Sequence, residues 1–450
     1  MEMSQYNTFF QTKKEINAVL NSVSGEMIVD NDRLFNALQK GHLFRLLPFE
    51  KAKLYKARFI VSNRSKEDAY VYNKLFQYRE NSETLRYTLV TTYACNLGCP
   101  YCYEESLPAR TGNMSLDTGK CFVDCVVRDQ QKSGAKRIAV TLYGGEPLLN
   151  LSPSIYILKS LDKLSQKKSI SFHGSIISNG TLFTPENIKQ LSPYIQFAQV
   201  TLEGGPEYHN KIRCLKDDGP TFDKILDSIK YLIEANIRVA IRIQVTNDAI
   251  PSLDECFEKL RRRGLFNTKM TRAYFFPILD INGVCSAKSF KCGHEYYQPA
   301  LFDHLWKYGH KYGVLVTPPF RPVWETPYCS FVNKWAWVID PEGKKYKCVA
   351  MVGNPDMIVG SIKKDSYDDL QLSNFRTIEN AFVNRSGLTL QQCQTCNYLP
   401  LCDGGCAYRG LQKGSGHDMA NPSCEFHGEV ILEQLRYLCE ERMNSNSLSD

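Results

Sequence analysis

The chain has 450 residues, 43% hydrophobic and 23% charged, which is long enough for two or three globular domains and free of the bias of a disordered or fibrous protein. Its formal charge of +7 is scattered, with only short solvated runs at Arg261-Arg262-Arg263 and Lys344-Lys345, which excludes the aromatic-interleaved basic stripe of a nucleic-acid binder. Met1 to Lys14 carry no apolar signal core and no run of eighteen apolar residues appears, so a membrane-spanning helix is excluded, a cytoplasmic location is expected, and the seventeen cysteines belong in reducing surroundings.

Residues 1–80 hold no cysteine. Apolar alternation predicts strands over Asn7–Gln11, Ala18–Val23 and Glu26–Asp30, then a helix over Asp32–Gln39 closed by Gly41. Helical stretches Phe49–Lys56 and Lys66–Tyr78 flank the apolar Phe59-Ile60-Val61, which makes a small α+β module of winged-helix size. From Leu85 to about Gly313 strands and helices alternate. Strands are expected at Leu85–Tyr93, Arg137–Tyr143, Ser169–Ile177, Phe197–Leu202, Val239–Val245 and Arg272–Pro277. Helices fit between them at Leu116–Ser133, Ser154–Gln166, Pro185–Leu191, Phe222–Ala235 and Leu253–Arg263. This is an α/β pattern of parallel strands with right-handed crossovers, a β/α barrel or open partial barrel, with reactive groups at the C-terminal strand ends. After about residue 314 the alternation gives way to turns such as Asp340-Pro341-Glu342-Gly343 and Asp403-Gly404-Gly405, with a closing helix over Glu425–Met443. The expected domains are therefore 1–80, 81–313 and 314–450, the last organised around cysteines rather than a hydrophobic core.

Ten of the cysteines fall into two spaced sets. Cys95, Cys99 and Cys102 form C-x3-C-x2-C just after the first strand of the alternating region. Cys329, Cys348, Cys393, Cys396, Cys402, Cys406 and Cys424 form C-x13-G-x4-C, then C-x2-C-x5-C-x3-C, then a lone cysteine. Thiolates at such spacings hold zinc or iron–sulfur clusters, and three ligands on a four-ligand site leave one metal position open for chemistry. Zinc accounts for the C-x2-C-x5-C-x3-C stretch alone, but not for a three-cysteine set followed some forty residues on by Gly144-Gly145-Glu146-Pro147 at the next strand end. Clusters are the better reading. Cys121, Cys125, Cys214, Cys256 and Cys439 read as structural, and His209, His294 and His427 as isolated.

Thr91-Thr92-Tyr93-Ala94-Cys95-Asn96-Leu97-Gly98-Cys99-Pro100-Tyr101-Cys102-Tyr103 resembles the radical S-adenosylmethionine (SAM) signature, and Tyr143-Gly144-Gly145-Glu146-Pro147 resembles that superfamily's methionine-binding motif. The seven later cysteines resemble the SPASM element, which carries two auxiliary 4Fe–4S clusters. The resemblance spans residues 85 to about 430 and implies a partial (β/α)6 barrel with three 4Fe–4S clusters and SAM. It implies that Cys95, Cys99 and Cys102 hold the radical-generating cluster, whose fourth iron chelates the methionine moiety, and that a 5′-deoxyadenosyl radical takes hydrogen from substrate. Gly144 and Gly145 would let backbone approach the ligand, with strand-end carbonyls and Glu146 accepting from its ammonium. Tyr101 would lie against adenine or merely shield the cluster. The Ser178-Asn179-Gly180 turn would touch ribose, and Thr201 and Arg213 would serve ribose or carboxylate, the alternative for Arg213 being a surface ion pair. Glu203-Gly204-Gly205 departs from the usual Asp-Gly-Pro. Cys393, Cys396, Cys402 and Cys424 would bind the distal auxiliary cluster, and Cys329, Cys348 and Cys406 the inner one. No fourth inner ligand lies between residues 329 and 348, so either Cys285 or Cys292 supplies it or one iron is open.

The leading module resembles elements that grip leaders of ribosomally made, post-translationally modified peptides. The expected activity is an oxidoreductase that installs thioether links in a precursor peptide and draws electrons from flavodoxin or ferredoxin. Carbon–carbon cross-linking and anaerobic sulfatase maturation to formylglycine are the alternatives. Val349 stands after Cys348 where sulfatase maturases carry an Asp. A non-catalytic cluster scaffold has no need of the Gly144–Pro147 motif.

Overall fold

The computed structural model describes residues 1–106, 112–278, 299–314, 321–325, 329–363, 369–413 and 428–446. The chain divides into two compact units, both discontinuous: residues 1–81, 317–334 and 380–450 form one, and residues 82–316 and 335–379 the other. Both units draw on residues after 314, and residues 1–81 share the first unit with residues 317–334 and 380–450.

The first unit opens with β1 (Glu2–Met3), β2 (Asn7–Gln11), β3 (Asn17–Asn21) and β4 (Met27–Val29), and β5 (Ile60–Val61) pairs with β1. Strands β2-β3-β4 form an antiparallel sheet with β4 at one edge. Helices Asp32–Gln39, Pro48–Lys56 and Arg64–Glu80 follow the sequence expectation closely; the first starts where Asn31 accepts a hydrogen bond from the Leu34 N–H. Apolar residues of this module do not close a core by themselves. Tyr6, Val71 and Leu75 pack with Leu390, Cys393 and Leu399, and Phe10, Ala18 and Leu20 pack with Ile431, Leu435 and Cys439 of helix Gly428–Asn446.

The second unit holds a nine-stranded sheet. Strands β6 (Thr84–Thr92), β7 (Arg137–Gly144), β8 (Ser171–Ile177), β9 (Ile195–Leu202), β10 (Arg238–Val245) and β11 (Thr271–Pro277) run parallel in sequential order. The alternating side chains sort by face, as the two-residue period requires. Ile138, Val140, Leu142, Val200, Leu202, Ile241, Ile243 and Val245 are buried in one core, along with Phe122, Leu158, Ile229 and Phe257 from the crossover helices. The opposite face carries Thr141, Tyr143, Ser175, Gln199, Thr201, Arg242, Gln244 and Tyr274. It is polar and self-bonded: Thr141 and Ser175 hydroxyls are 2.8 Å apart, and Tyr274 donates to Gln199 at 2.7 Å. The sheet curls around this face, since Tyr101, just past β6, reaches Gln244 on β10 across the three intervening strands. Among the described residues the sheet does not close; at the β6 edge it continues instead into β12 (Ala336–Ile339), β13 (Lys344–Tyr346) and β14 (Gly360–Ser361).

That continuation departs from the expectation for the C-terminal region. Ala336-Trp337-Val338-Ile339 is too short to show a period, yet all four are buried and pair in parallel with Arg86–Leu89. The Asp340–Gly343 turn is the β12–β13 hairpin connection, with Asp340 accepting from Lys344 N–H at 2.8 Å and Gly343 at φ 94°.

Candidate active site

The loop after β6 carries Cys95, Cys99 and Cys102, and its backbone is held from two sides. Leu97 bridges Leu215, with Gly98 N–H donating to Cys214 O at 3.1 Å and Lys216 N–H to Asn96 O at 3.1 Å. The Cys102 N–H returns to Cys99 O at 3.2 Å, the same turn that links Cys396 N–H to Cys393 O at 3.0 Å in the later C-x2-C pair. Burial pushes the Cys99 thiol up to about 12 and raises that of Cys95, although the nearby Arg213 works against both.

The end of β7 is laced to this loop. Gly145 N–H donates to Thr92 O at 3.1 Å, and Glu146 N–H to Ala94 O at 2.8 Å. Only glycine fits: a Cβ at Gly144 would lie 2.3 Å from Thr92 O, at φ 139°, and one at Gly145 would lie 2.4 Å from Ala94 O. Glu146 is fully buried. It accepts from Ser178 Oγ at 2.9 and 3.0 Å, Asn179 N–H at 2.8 Å and Leu148 N–H at 3.1 Å. Glu146 therefore ties the β7 end to the β8 end. Burial pushes it up to about 7 despite these donors. Asn179 extends the lacing, donating to Asn96 Oδ1 at 2.8 Å and approaching the Cys95 sulfur at 3.8 Å.

A second knot stands at the β9 end. The Tyr101 hydroxyl bonds to Glu203, lies 2.8 Å from Gln244 Oε1 and accepts from Arg213 Nη1 at 2.7 Å. Arg213 also pairs with Glu203 at 3.4 Å and is only 7% exposed, so it is not a surface ion pair. Burial pushes Glu203 up to about 7, with Arg213 opposing. Glu203 Oε2 and Arg213 Nε are shut off from solvent without a hydrogen-bond partner, an arrangement that leaves donors and acceptors available to a bound group. Thr201 sits one layer below on β9, buried and in register with Arg242.

His209, an isolated histidine in the sequence, holds this knot together. Its Nδ1 accepts from Glu203 N–H at 3.1 Å, so Nε2 bears the proton facing Thr221 Oγ1 at 3.0 Å, and Thr221 in turn donates to Arg213 O at 2.5 Å. Burial keeps the imidazole neutral by pulling its pKa well down. Gln244 and Arg242 also escaped notice; polar residues alternating with Ile241, Ile243 and Val245 on an otherwise apolar strand were the available signal.

The later cysteines divide between units. Cys329, Cys393, Cys396, Cys402 and Cys406 belong to the first and Cys348 to the second, while Cys285, Cys292 and Cys424 lie outside the described residues. In the first unit, Tyr78 donates to Cys329 O at 2.7 Å. Fully buried Asp403, between Cys402 and Cys406, accepts from Arg79 Nε at 3.0 Å, Ser386 Oγ at 2.7 Å and Gly387 N–H at 2.9 Å. Among the described residues no three His, Cys, Asp or Glu side chains converge on a point that would hold one metal ion. Three thiols on one braced loop, a glycine cradle beside them and orphaned buried polar atoms at the β9 end fit a three-ligand cluster with an adjoining small molecule. Cys125, Cys256 and Cys439 are buried in apolar cores, as expected of structural thiols.

The profile of the Radical SAM superfamily matches residues 89–264. The chain is 23% identical over 326 residues to a cysteine-type anaerobic sulfatase-maturating enzyme of Clostridium novyi, covering 69% of this chain and 84% of that one. It is 24% identical over 298 residues to the sporulation killing factor maturation protein SkfB of Bacillus subtilis, covering 63% of each. Its fold is similar to that of Streptococcus suis SuiB bound to precursor peptide SuiA, with a TM-score of 0.53 at 15% identity over 95% of this chain and all of that one. The superfamily brings with it SAM and a 4Fe–4S cluster. With the C-x3-C-x2-C loop, the glycine cradle and the parallel strand ends at one mouth, residues 89–264 form a radical SAM superfamily domain, and the chain is homologous to SPASM-type maturases.

Proposed function

We propose that the protein is a peptide maturase that installs thioether links between cysteine sulfur and carbon in a ribosomally made precursor. The observation that carries this reading is the laced mouth, where Cys95, Cys99 and Cys102 adjoin the Gly144-Gly145 cradle and the Glu203–Arg213–Tyr101 knot. When bound, the cluster and SAM supply a 5′-deoxyadenosyl radical that takes hydrogen from carbon. The chain's own residues hold and orient the cosubstrate. The Gly144–Glu146 backbone accepts from its ammonium, with Glu146 as a positioning residue behind the Ser178-Asn179 turn at the ribose. Arg213 and Thr201 serve its carboxylate or ribose, and Tyr101 presents its ring to adenine.

Support for a peptide substrate comes from the first unit. Among the described residues strand β4 pairs only with β3, which leaves a sheet edge on which an extended leader can add as a strand. The fold similarity to SuiB takes in 95% of the chain and so includes part of this module. Cys393, Cys396, Cys402 and Cys424 are assigned to a distal auxiliary cluster and Cys329, Cys348 and Cys406 to an inner one, making three clusters in all. An open iron on the inner cluster would take the substrate thiolate, which favours sulfur as the bonding partner. Formylglycine formation is the second reading, because sulfatase-maturating enzymes are among the relatives; Val349 after Cys348 weighs against it.

The test is spectroscopic. Precursor peptide should change the paramagnetic spectrum of the inner cluster and its Cys→Ser form should not. If Cys285 or Cys292 closes that cluster, the spectrum ignores peptide thiols and carbon–carbon cross-linking takes first place.

A further inference from the structure

Arg242 stands on the polar inner face of β10, in register with Thr201 of β9 and Tyr274 of β11. Its guanidinium carbon lies 3.7 Å from the centroid of the Phe276 ring, close enough for a stacked cation–π contact. Tyr103, Tyr143 and Tyr274 stand within electrostatic range. Among the described residues Arg242 forms no ion pair, and its Nε is closed off from solvent with no hydrogen-bond partner. Two buried arginines have carboxylate partners, Arg79 in Asp403 and Arg213 in Glu203, while buried Arg385 donates to the Gly404 carbonyl.

A guanidinium cannot shed its charge, and half-buried Arg242, within electrostatic range of Glu203 but not ion-paired with it, keeps the capacity to take an added anion. Contact with the Phe276 ring holds the guanidinium against the inner face, and its donor fork suits the paired oxygens of a carboxylate. The position argues for which carboxylate. Arg213, not Arg242, is the arginine that acts on Cys95 and Cys99, while Arg242 sits among tyrosines deeper on the concave face. We infer that Arg242 is a specificity-determining residue that receives a carboxylate of the peptide substrate, from an Asp or Glu side chain or a free C-terminus close to the residue that loses hydrogen. The inference rests on the maturase reading and narrows its substrate class to peptides acidic near the reacting position.

The experiment uses three synthetic heptapeptides. Two are acetylated and amidated and differ only in Asp or Asn beside a central Cys; the third is the Asn peptide with a free C-terminal carboxylate. Calorimetry against the reconstituted full chain with SAM and no reductant gives affinities for wild type, Arg242→Gln and Arg242→Lys. The wild type should prefer a carboxylate-bearing peptide over the amidated Asn peptide by about tenfold or more, as a charge-assisted bidentate pair implies. The Asp peptide or the free-terminus peptide carrying that preference identifies the source. Arg242→Gln should abolish the preference, and Arg242→Lys, which keeps the charge without the fork, should retain part of it. Equal affinities for all three peptides, or no binding of any to wild type, overturn the inference. Weaker SAM binding by Arg242→Gln without peptide assigns the arginine to the cosubstrate and also overturns it. The maturase reading fails separately, if no hydrogen passes from peptide to 5′-deoxyadenosine.

Discussion

Replacing Gly145 by Ala should cripple SAM cleavage while leaving the cluster in place. The added Cβ would sit 2.4 Å from Ala94 O and 2.7 Å from Tyr93 O, both backbone atoms in the segment leading to Cys95. Real Cβ atoms keep at least 3.0 Å from such neighbours, so one strand end must retreat by about 0.6 Å. Two hydrogen bonds, from Gly145 N–H to Thr92 O and from Glu146 N–H to Ala94 O, resist that retreat. Overpacking of this kind costs about 1–3 kcal/mol. A misplacement approaching 1 Å at a reacting centre costs on the order of 100-fold in rate, so a loss of about 10- to 100-fold in 5′-deoxyadenosine formation is expected at normal iron content. Gly98→Ala is the control: it lies in the same loop, between Cys95 and Cys99, but nothing stands within 4 Å of its Cβ. It should stay within about twofold of wild type, as a substitution with no close contact does. The assay is anaerobic, with dithionite as reductant and rates normalised to iron. Wild-type cleavage by Gly145→Ala at full iron loading would refute the cradle.

Other outcomes follow from the same structure. Replacing Cys95, Cys99 and Cys102 together by Ala should remove roughly a third of about twelve irons and abolish SAM cleavage, because three thiolate sets each suit one four-iron cluster; unchanged cleavage contradicts the assignment. Asp403→Ala should destabilise the first unit by about 3–5 kcal/mol in urea by stranding buried Arg79. Arg79→Met combined with Asp403→Ala should recover part of that loss, and a double variant no better than the single one would show that the charge is not the cause. Glu67, 3% exposed, has its pKa raised above the ordinary 4.5 by burial, against the Ser4 hydrogen bond, while its Oε2 has no partner. Between 4.5 and that raised value the native state holds a proton the unfolded chain has lost, so stability falls as pH rises through the window. Glu67→Gln should remove this slope, and parallel stability–pH curves for the two proteins would contradict it.

The repeating part of the fold was legible because each strand from β6 to β11 carries its two-residue period and each crossover helix its own signals. Leu116–Ser133, for instance, starts at Ser115, which accepts from Thr118 N–H, and stops at left-handed Gly134. The cysteine and glycine motifs were legible because their chemistry needs fixed local spacing. What escaped depends on distant partners. Four residues at Ala336–Ile339 say nothing of β6, some 250 positions earlier, and only the fold brings His209 beneath Glu203. The leading module read as self-contained because its helices and strands have ordinary local signals. Its core is nonetheless completed by Leu390, Leu399 and Leu435, so excision at residue 80 would strip apolar surface from both parts. Point changes along the β4 edge are the sounder probe of leader binding.

The central claim is that this mouth takes hydrogen from a peptide. It is tested most directly with a precursor peptide deuterated at carbon, incubated with the reduced, reconstituted protein and SAM. The account predicts deuterium in the 5′-deoxyadenosine formed, a matching loss from the peptide, and no 5′-deoxyadenosine when Cys95, Cys99 and Cys102 are all Ala. Deuterium-free 5′-deoxyadenosine in the presence of a peptide that becomes modified would contradict it.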